Sequence, residues 1–370
     1  MILSVSSVFI TLVITFLMII LFYLILFNKK LVYILRSDLL IILSFMIILR
    51  LLLPVEWPFT LTIPFPWIMN SLQAFLNYEI FSHFSVISLL LIIWLFGSAI
   101  QICKFIIQLK KIKTIFSLLE KTAIKNKVSD FIDIDPRFDY PVWIANGISF
   151  PMILGFKKII LIPEIRLEKK EFTHIIQHEL EHLKHKDNII KLFLNIVLII
   201  YWWFPPIYWL CSKIQLVLEM RVDKKVTYYF SEQEVADYAE TLLKVQKAIS
   251  SKTETSFDGI GISSMFYIND GTSTLYYRIT YLLNQTYKKS SNILLILIII
   301  SLPLISNCIV LEPYLEPPIE TYSTTPASDL ENGFIVKHPD GSYSIYINGT
   351  KITTMNPDNK LLSKYPIITE

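Results

Sequence analysis

At 370 residues the chain has room for two or three structural units. Its hydrophobic share of 53% and mean hydropathy of +0.52 exclude an ordinary soluble protein and point to the membrane. A net charge of +3 gives no argument for nucleic-acid binding, and the scattered Cys103, Cys211 and Cys308 form neither a disulfide framework nor a CxxC metal site.

The chain opens on a nearly unbroken apolar run, Ile2 to Phe27. It is too long for a signal peptide and lacks a basic start and a small-residue cleavage site, so it reads as a first membrane span. A second span is expected over 39–53, between Asp38 and Arg50, and a third over 81–107. Between them Pro54, Pro58, Pro64 and Pro66 break any helix. This loop has no Lys or Arg up to Glu79, and it places Trp57 and Trp67 at interface depth. Lysines follow the first span (Lys29, Lys30) and the third (Lys104, Lys110, Lys111, Lys113), which puts those ends in the cytoplasm and the N-terminus outside. A last span over 293–311, preceded by Lys288 and Lys289, puts the tail 312–370 outside as well. The region 113–292 is then a cytoplasmic domain.

Within that domain Lys113 to Lys127 reads as a helix. Val142 to Ile144 and Lys158 to Ile162 read as short strands, with Gly147, Pro151, Gly155 and Pro163 as turn signals. Next comes F-T-H-I-I-Q-H-E-L-E-H-L-K-H-K-D, Phe172 to Asp187, which holds four of the six histidines. On a helix His178 and His182 lie four apart on one face and can offer two imidazoles to one metal ion. Glu179, beside the first, can reach a water on that metal. A charged surface helix that happens to carry histidines would show the same five residues. The clustering of His174, His178, His182 and His185, with Phe172, Ile175, Ile176, Leu180 and Leu183 between them, favours the metal site.

The apolar stretch 189–218 is interrupted by Pro205 and Pro206 beside Trp202, Trp203 and Trp209. A single crossing there would reverse the topology, so a re-entrant or interfacial hairpin is expected. After it Glu219 and Asp223 share a helix face. Glu219 is the natural third ligand, and Asp223 is placed to accept from the far nitrogen of a ligand histidine. A solvated acidic pair balancing Arg221, Lys224 and Lys225 is the other reading. In the tail Gly333 to Thr353 alternates like short strands, with hairpin turns at Pro339-Asp340-Gly341 and Asn348-Gly349.

Four segments together resemble the BlaR/MecR-type family of membrane zinc metallopeptidases, which includes β-lactam-sensing receptors. They are F-P-M-I-L-G-F-K-K-I-I-L-I-P (Phe150 to Pro163), H-E-L-E-H-L-K-H-K-D (His178 to Asp187), W-F-P-P-I-Y-W (Trp203 to Trp209) and E-M-R-V-D (Glu219 to Asp223). The resemblance implies a mostly α membrane protein with a cytoplasmic α+β, gluzincin-like zincin domain. It makes His178, His182 and Glu219 the ligands of one zinc ion (Zn2+) per chain, Glu179 the catalytic base, and Asp223 the support of a ligand histidine. Asp187 matches an acidic position of structural character. Arg221, Tyr228 and Arg278 are candidate donors to the oxyanion. By the family's precedent the substrate is a cytoplasmic protein, a winged-helix repressor, with self-cleavage as a companion. The polar stretch Ser250 to Thr274 is the expected place for such a cut. The lipid bilayer and a second copy of the chain are further expected partners.

Two departures stand out. Val222 occupies a position that is usually Cys in the family, and Pro205-Pro206 stands where Asn-Pro is common. Fewer than sixty residues follow the last expected span, and that tail holds no S-x-x-K, so direct acylation by a β-lactam is not expected there. A housekeeping membrane protease of the HtpX/Ste24 type shares H-E-x-x-H and a downstream Glu. A proteolytically inactive receptor or scaffold is the reading from another class.

Overall fold

The computed structural model describes residues 4–81, 84–146, 148, 150–154, 157–251, 271–284, 297, 301, 303–313, 333–339, 342–347, 350–355 and 366–369. They fall into two compact units, Met1–Glu312 and Pro313–Glu370.

The first unit begins with α1 (Val5–Phe27) and α2 (Lys29–Leu52), which pack on each other. Ser4 starts α1 with a capping box: its Oγ accepts from the Ser7 N–H at 2.9 Å, and the Ser7 Oγ accepts from the Ser4 N–H at 3.1 Å. The expected span 39–53 is the second half of α2. The helix starts ten residues earlier, at Lys29, because nothing after Asn28 breaks it. Near its end the buried Arg50 donates to Thr11 Oγ1 at 2.6 Å and Ser306 Oγ at 3.2 Å, tying α1, α2 and the segment 303–308 together. Strand β1 (Leu61–Pro64) pairs in parallel with β8 (Ile309–Glu312). Residues 309–311, expected at the end of a helical span, are therefore strand: an apolar run this short fits either state, and pairing with β1 decides it. Half of the remainder of that expected span, 293–308, lies outside the described residues.

After α3 (Pro66–Asn77) and a small hairpin, β2 (Glu79–Phe81) with β3 (Phe84–Ser85), comes α4 (Val86–Thr122), 37 residues without a break. The expected boundary at 112 and the separate helix 113–127 merge into it. The lysines that mark the end of the apolar stretch are good helix formers, so charge changes there while conformation does not. Ile124–Lys127 is strand β4. Helices α1 and α4 are long and apolar enough to cross a bilayer.

A four-stranded sheet, in the order β4-β5-β7-β6, joins α4 to the histidine helix. Its other strands are β5 (Pro141–Ala145), β6 (Met152–Leu154) and β7 (Ile159–Pro163), and β5 and β7 run parallel. Both faces are covered, as the period of two along β5 and β7 requires. Trp143, Ile159 and Leu161 pack with Ile115 and Leu119 of α4. Val142, Ile160 and Ile162 pack with Ile175, Ile176 and Leu180 on the opposite face. That second partner is α5 (Lys169–His185), followed by α6 (Asp187–Ile200), α7 (Pro205–Val226), α8 (Glu232–Ser251) and α9 (Gly271–Leu283).

The proline-tryptophan corner is the turn between α6 and α7. Pro205 and Pro206 occupy the first turn of α7, where no N–H is needed, so they start a helix and do not break one. The open carbonyls at the end of α6 are met by α4: Trp94 Nε1 donates to Ile200 O at 2.8 Å and Ser98 Oγ to Ile199 O at 3.3 Å. Tyr201 Oη donates to Leu51 O of α2 at 2.6 Å. The α7 residues Ile207, Leu210, Ile214 and Val217 share one apolar core with Phe22 of α1 and Leu43 and Ile47 of α2.

In the second unit β9 (Gly333–Lys337), β10 (Tyr343–Ile347) and β11 (Thr350–Met355) form an antiparallel meander. Strand β12 (Ile367–Thr369) adds in parallel on the other side of β9. Of the expected turn residues Pro339 is described, and Asp340-Gly341 and Asn348-Gly349 lie outside the described residues.

Candidate metal centre

Local sequence sets α5 in place at both ends. The Glu168 N–H donates to Glu171 Oε2 at 3.0 Å, and the acids favour the positive N-terminal end of the helix. At the other end Lys186 takes a left-handed conformation (φ 57°, ψ 37°) and is the sole link to α6. That sharp turn brings Asp187 back to the histidine five residues before it.

His178, His182 and Glu219 each offer a ligand atom, all within 4.8 Å of one another. Glu219 Oε2 lies 3.2 Å from His178 Nε2, and its Oε1 lies 3.3 Å from His182 Nε2. The Nε2 atoms of the two histidines are 3.2 Å apart. Two imidazole nitrogens and a carboxylate converging in this way are a zinc-type donor set. The opposite ring nitrogens are also held, as metal-ligating histidines require. His182 Nδ1 lies 2.7 Å from Asp187 Oδ2, and His178 Nδ1 lies 2.8 Å from Tyr238 Oη and 3.3 Å from Asp223 Oδ1. Glu179 is buried next to the first histidine and makes no hydrogen bond or ion pair among the described residues.

Cations back the acids. Arg278 of α9 donates from Nε to Asp223 Oδ2 at 2.7 Å and from Nη2 to Asp223 Oδ1 at 2.8 Å, and its Nη1 lies 3.2 Å from Glu219 Oε2. Arg221 donates to Asp187. Burial opposes ionisation of Asp223, but Arg278 and His178 outweigh it and hold its pKa at about 2. Burial likewise opposes the charge on Glu219, and the His182 and Arg278 charges outweigh it, leaving the carboxyl well below its ordinary range. For His182 burial disfavours the proton, while Glu219 and Asp187 hold it more strongly and raise the pKa to about 9. The same acids suit a divalent cation, for which the imidazole must give up that proton.

The expected residues His178, His182, Glu219 and Asp223 thus meet at one place, and the buried Glu179 follows His178 on α5. Of the three candidate oxyanion donors, Arg221 and Arg278 lie in the cluster but are engaged with carboxylates. Tyr228 is exposed, its ring edge-on to Tyr229. His174 Nδ1 lies 3.0 Å from Thr241 Oγ1, and His185 Nδ1 lies 2.9 Å from Glu181 O. Sequence reasoning gave no role to Tyr238. It sits on a different helix from His178, His182 and Glu219, and nothing in its spacing signals the contact.

The sequence model of a family described as BlaR1 peptidase M56 matches residues 70–266, more than half of the chain. The methicillin resistance mecR1 protein of Staphylococcus aureus is 26% identical over 176 residues, which are 46% of this chain and 30% of that protein. The regulatory protein BlaR1 of Bacillus licheniformis is 26% identical over 206 residues, 54% of this chain and 34% of that protein. The match therefore spans about a third of the length of these relatives.

Proposed function

Because the chain belongs to the BlaR1 peptidase M56 family, we propose that it is a membrane zinc endopeptidase that transmits a signal by cutting a cytoplasmic protein. The observation that carries this reading is the convergence of His178, His182 and Glu219, with the buried Glu179 next to His178 on the same helix. In this reading those three side chains hold one zinc ion per chain. When bound, zinc acidifies a water and polarises the scissile carbonyl. Glu179 takes the proton of the attacking water and passes it to the leaving amine. His182 is kept in register by Asp187, and Arg278 holds Glu219 and Asp223 at fixed positions. Arg221 or Arg278 would have to leave a carboxylate to serve the oxyanion; Tyr228 would have to turn inward.

Strand β6 is an edge of its sheet and, with β7, packs beside α5. An extended substrate segment can add to that edge by main-chain hydrogen bonds and pass the metal ligands. The lysine distribution supports a cytoplasmic catalytic domain with the N-terminus and tail outside. Helix α2 ends on the outer side in this topology. The bond from Tyr201 to Leu51 near that end supports a re-entrant hairpin for α6 and α7, entering from the cytoplasm and turning within the bilayer. A winged-helix repressor is the proposed substrate, with self-cleavage within 250–274, a stretch mostly outside the described residues.

The test pairs zinc content with cleavage. The full chain and a Glu179→Ala variant are purified in nanodiscs, bound zinc is quantified, and cleavage of the chain itself and of a co-encoded repressor is followed. About one zinc in both, with cutting by the parent alone, is expected. A parent without zinc overturns the reading. Degradation of misfolded membrane proteins with the repressor left intact would favour the housekeeping protease.

A further inference from the structure

Among the described residues, Tyr238 is the one side chain that touches both a proposed ligand histidine and the acid behind it while belonging to neither of their helices. Helix α8 presents it from a frame built against α5. Ser231 starts α8 with a capping box, its N–H donating to Glu234 Oε2 at 2.8 Å. Lys170 pairs with Asp237, and Lys244 with Glu171, across the solvent side of the α5–α8 contact. His174 packs edge-on against the Tyr238 ring, with centroids 5.6 Å apart and planes at 77°. Val235 and Leu282 close the other side, and Tyr238 is 1% exposed.

The hydrogen-bond directions follow from what each atom can do. Asp223 carries a carboxylate whose oxygens only accept. Tyr238 has one proton, and it donates to Asp223 Oδ1 at 2.8 Å. A lone pair of its Oη is then left for His178 Nδ1, at 2.8 Å. That nitrogen must therefore carry the hydrogen, which leaves the lone pair of the ring on Nε2, the atom that faces His182 and Glu219. His182 reaches the same tautomer directly through Asp187, whereas the link from His178 to Asp223 passes chiefly through the phenol.

We propose that Tyr238 is a positioning residue for the metal centre, whose hydroxyl fixes the tautomer and ring orientation of His178 by joining its Nδ1–H to Asp223. This inference rests on the zinc reading above. Loss of a partner behind a ligand histidine typically lowers metal affinity about 10–100-fold.

The test uses the full chain in nanodiscs, with zinc affinity measured by competition against a chromophoric chelator. Tyr238→Phe keeps the ring and removes only the hydroxyl. Val235→Ala loosens the same small core and leaves the hydroxyl in place. The expected result is a zinc affinity about 10–100-fold weaker in Tyr238→Phe and close to the parent value in Val235→Ala. With cobalt(II) in place of zinc, the visible ligand-field bands of Tyr238→Phe should shift from those of the parent. An affinity within twofold of the parent, with an unchanged cobalt spectrum, overturns the proposal. An equal loss in Val235→Ala also overturns it, because the effect would then belong to packing. A parent that binds no zinc would instead overturn the zinc reading itself, so the two failures are distinct.

Discussion

Arg278 Nη1 lies 3.2 Å from Glu219 Oε2, and that same oxygen lies 3.2 Å from His178 Nε2. The guanidinium also makes two hydrogen bonds to Asp223, so one buried cation contacts both acids contributed by α7. A bound metal would share Glu219 with it.

Arg278→Met keeps the length of the side chain and removes the charge. In the metal-free protein it leaves the buried Asp223 without its main counter-charge and Glu219 with only the histidines, and breaking such a buried pair typically destabilises by about 3–5 kcal/mol. A divalent cation restores part of the missing charge. The expected outcome is a lower melting temperature for the metal-free variant and a larger rise on adding zinc than the parent shows. Equal rises in the two proteins would mean that Arg278 and the metal do not share Glu219.

How much of this was readable in advance depends on whether the information is local. The pairing of His178 with His182 follows from helix period alone, and so does the common face of Glu219 and Asp223. Strands β5 and β7 were announced by short apolar runs between turn residues. The unbroken course of α4 was harder to see, because hydropathy falls at Lys104 while helix propensity does not. Strand β8 takes its state from β1, some 250 residues away, and a short apolar run carries no sign of that partner. Tyr238 and Arg278 reach the site from α8 and α9, so their roles are tertiary and no spacing rule points to them.

Asp187 gives a second prediction. Its Oδ2 holds His182 Nδ1 at 2.7 Å, and Arg221 donates to its Oδ1. Asp187→Asn keeps the shape but replaces one acceptor oxygen by an N–H donor and removes the charge. Zinc affinity should fall about 10–100-fold, by chelator competition. Together with Tyr238→Phe the loss should be close to the product of the single losses, since the two residues act on different histidines. A double variant no weaker than the weaker single one would show that the two supports act as one network.

Lys186 carries a prediction of the opposite sign. Its φ of 57° is in the left-handed region, where a side chain with a Cβ costs about 1–2 kcal/mol and glycine does not. The backbone has no alternative there, because one residue must turn α5 into α6 and bring Asp187 to His182. Lys186→Gly relieves that strain, partly offset by the freer unfolded chain. A stability gain of up to about 1 kcal/mol is expected, read as a higher melting temperature with zinc affinity unchanged. A fall in melting temperature would mean that the lysine side chain contributes contacts that outweigh the strain.

Gly97 tests the join between α4 and the corner of α6 and α7. A Cβ built there would lie 2.0 Å from Trp202 Cζ2 and 2.2 Å from Cε2, inside the indole ring. On helix propensity alone Gly97→Ala should stabilise α4 by about 1 kcal/mol. The clash decides against this, because a rigid ring must move and not the end of a flexible chain. Overpacking of this kind typically costs about 1–3 kcal/mol. Displacing Trp202 would also disturb its contact with Trp94 O at 3.4 Å, beside the Trp94 and Ser98 bonds that meet the last carbonyls of α6. The expected outcome is a lower melting temperature together with a shift in tryptophan fluorescence. Adding Trp202→Leu to Gly97→Ala should then recover part of the loss, a non-additivity that marks direct contact. A melting temperature that rises in the single variant would show that propensity wins and that Trp202 can move away from α4 without penalty.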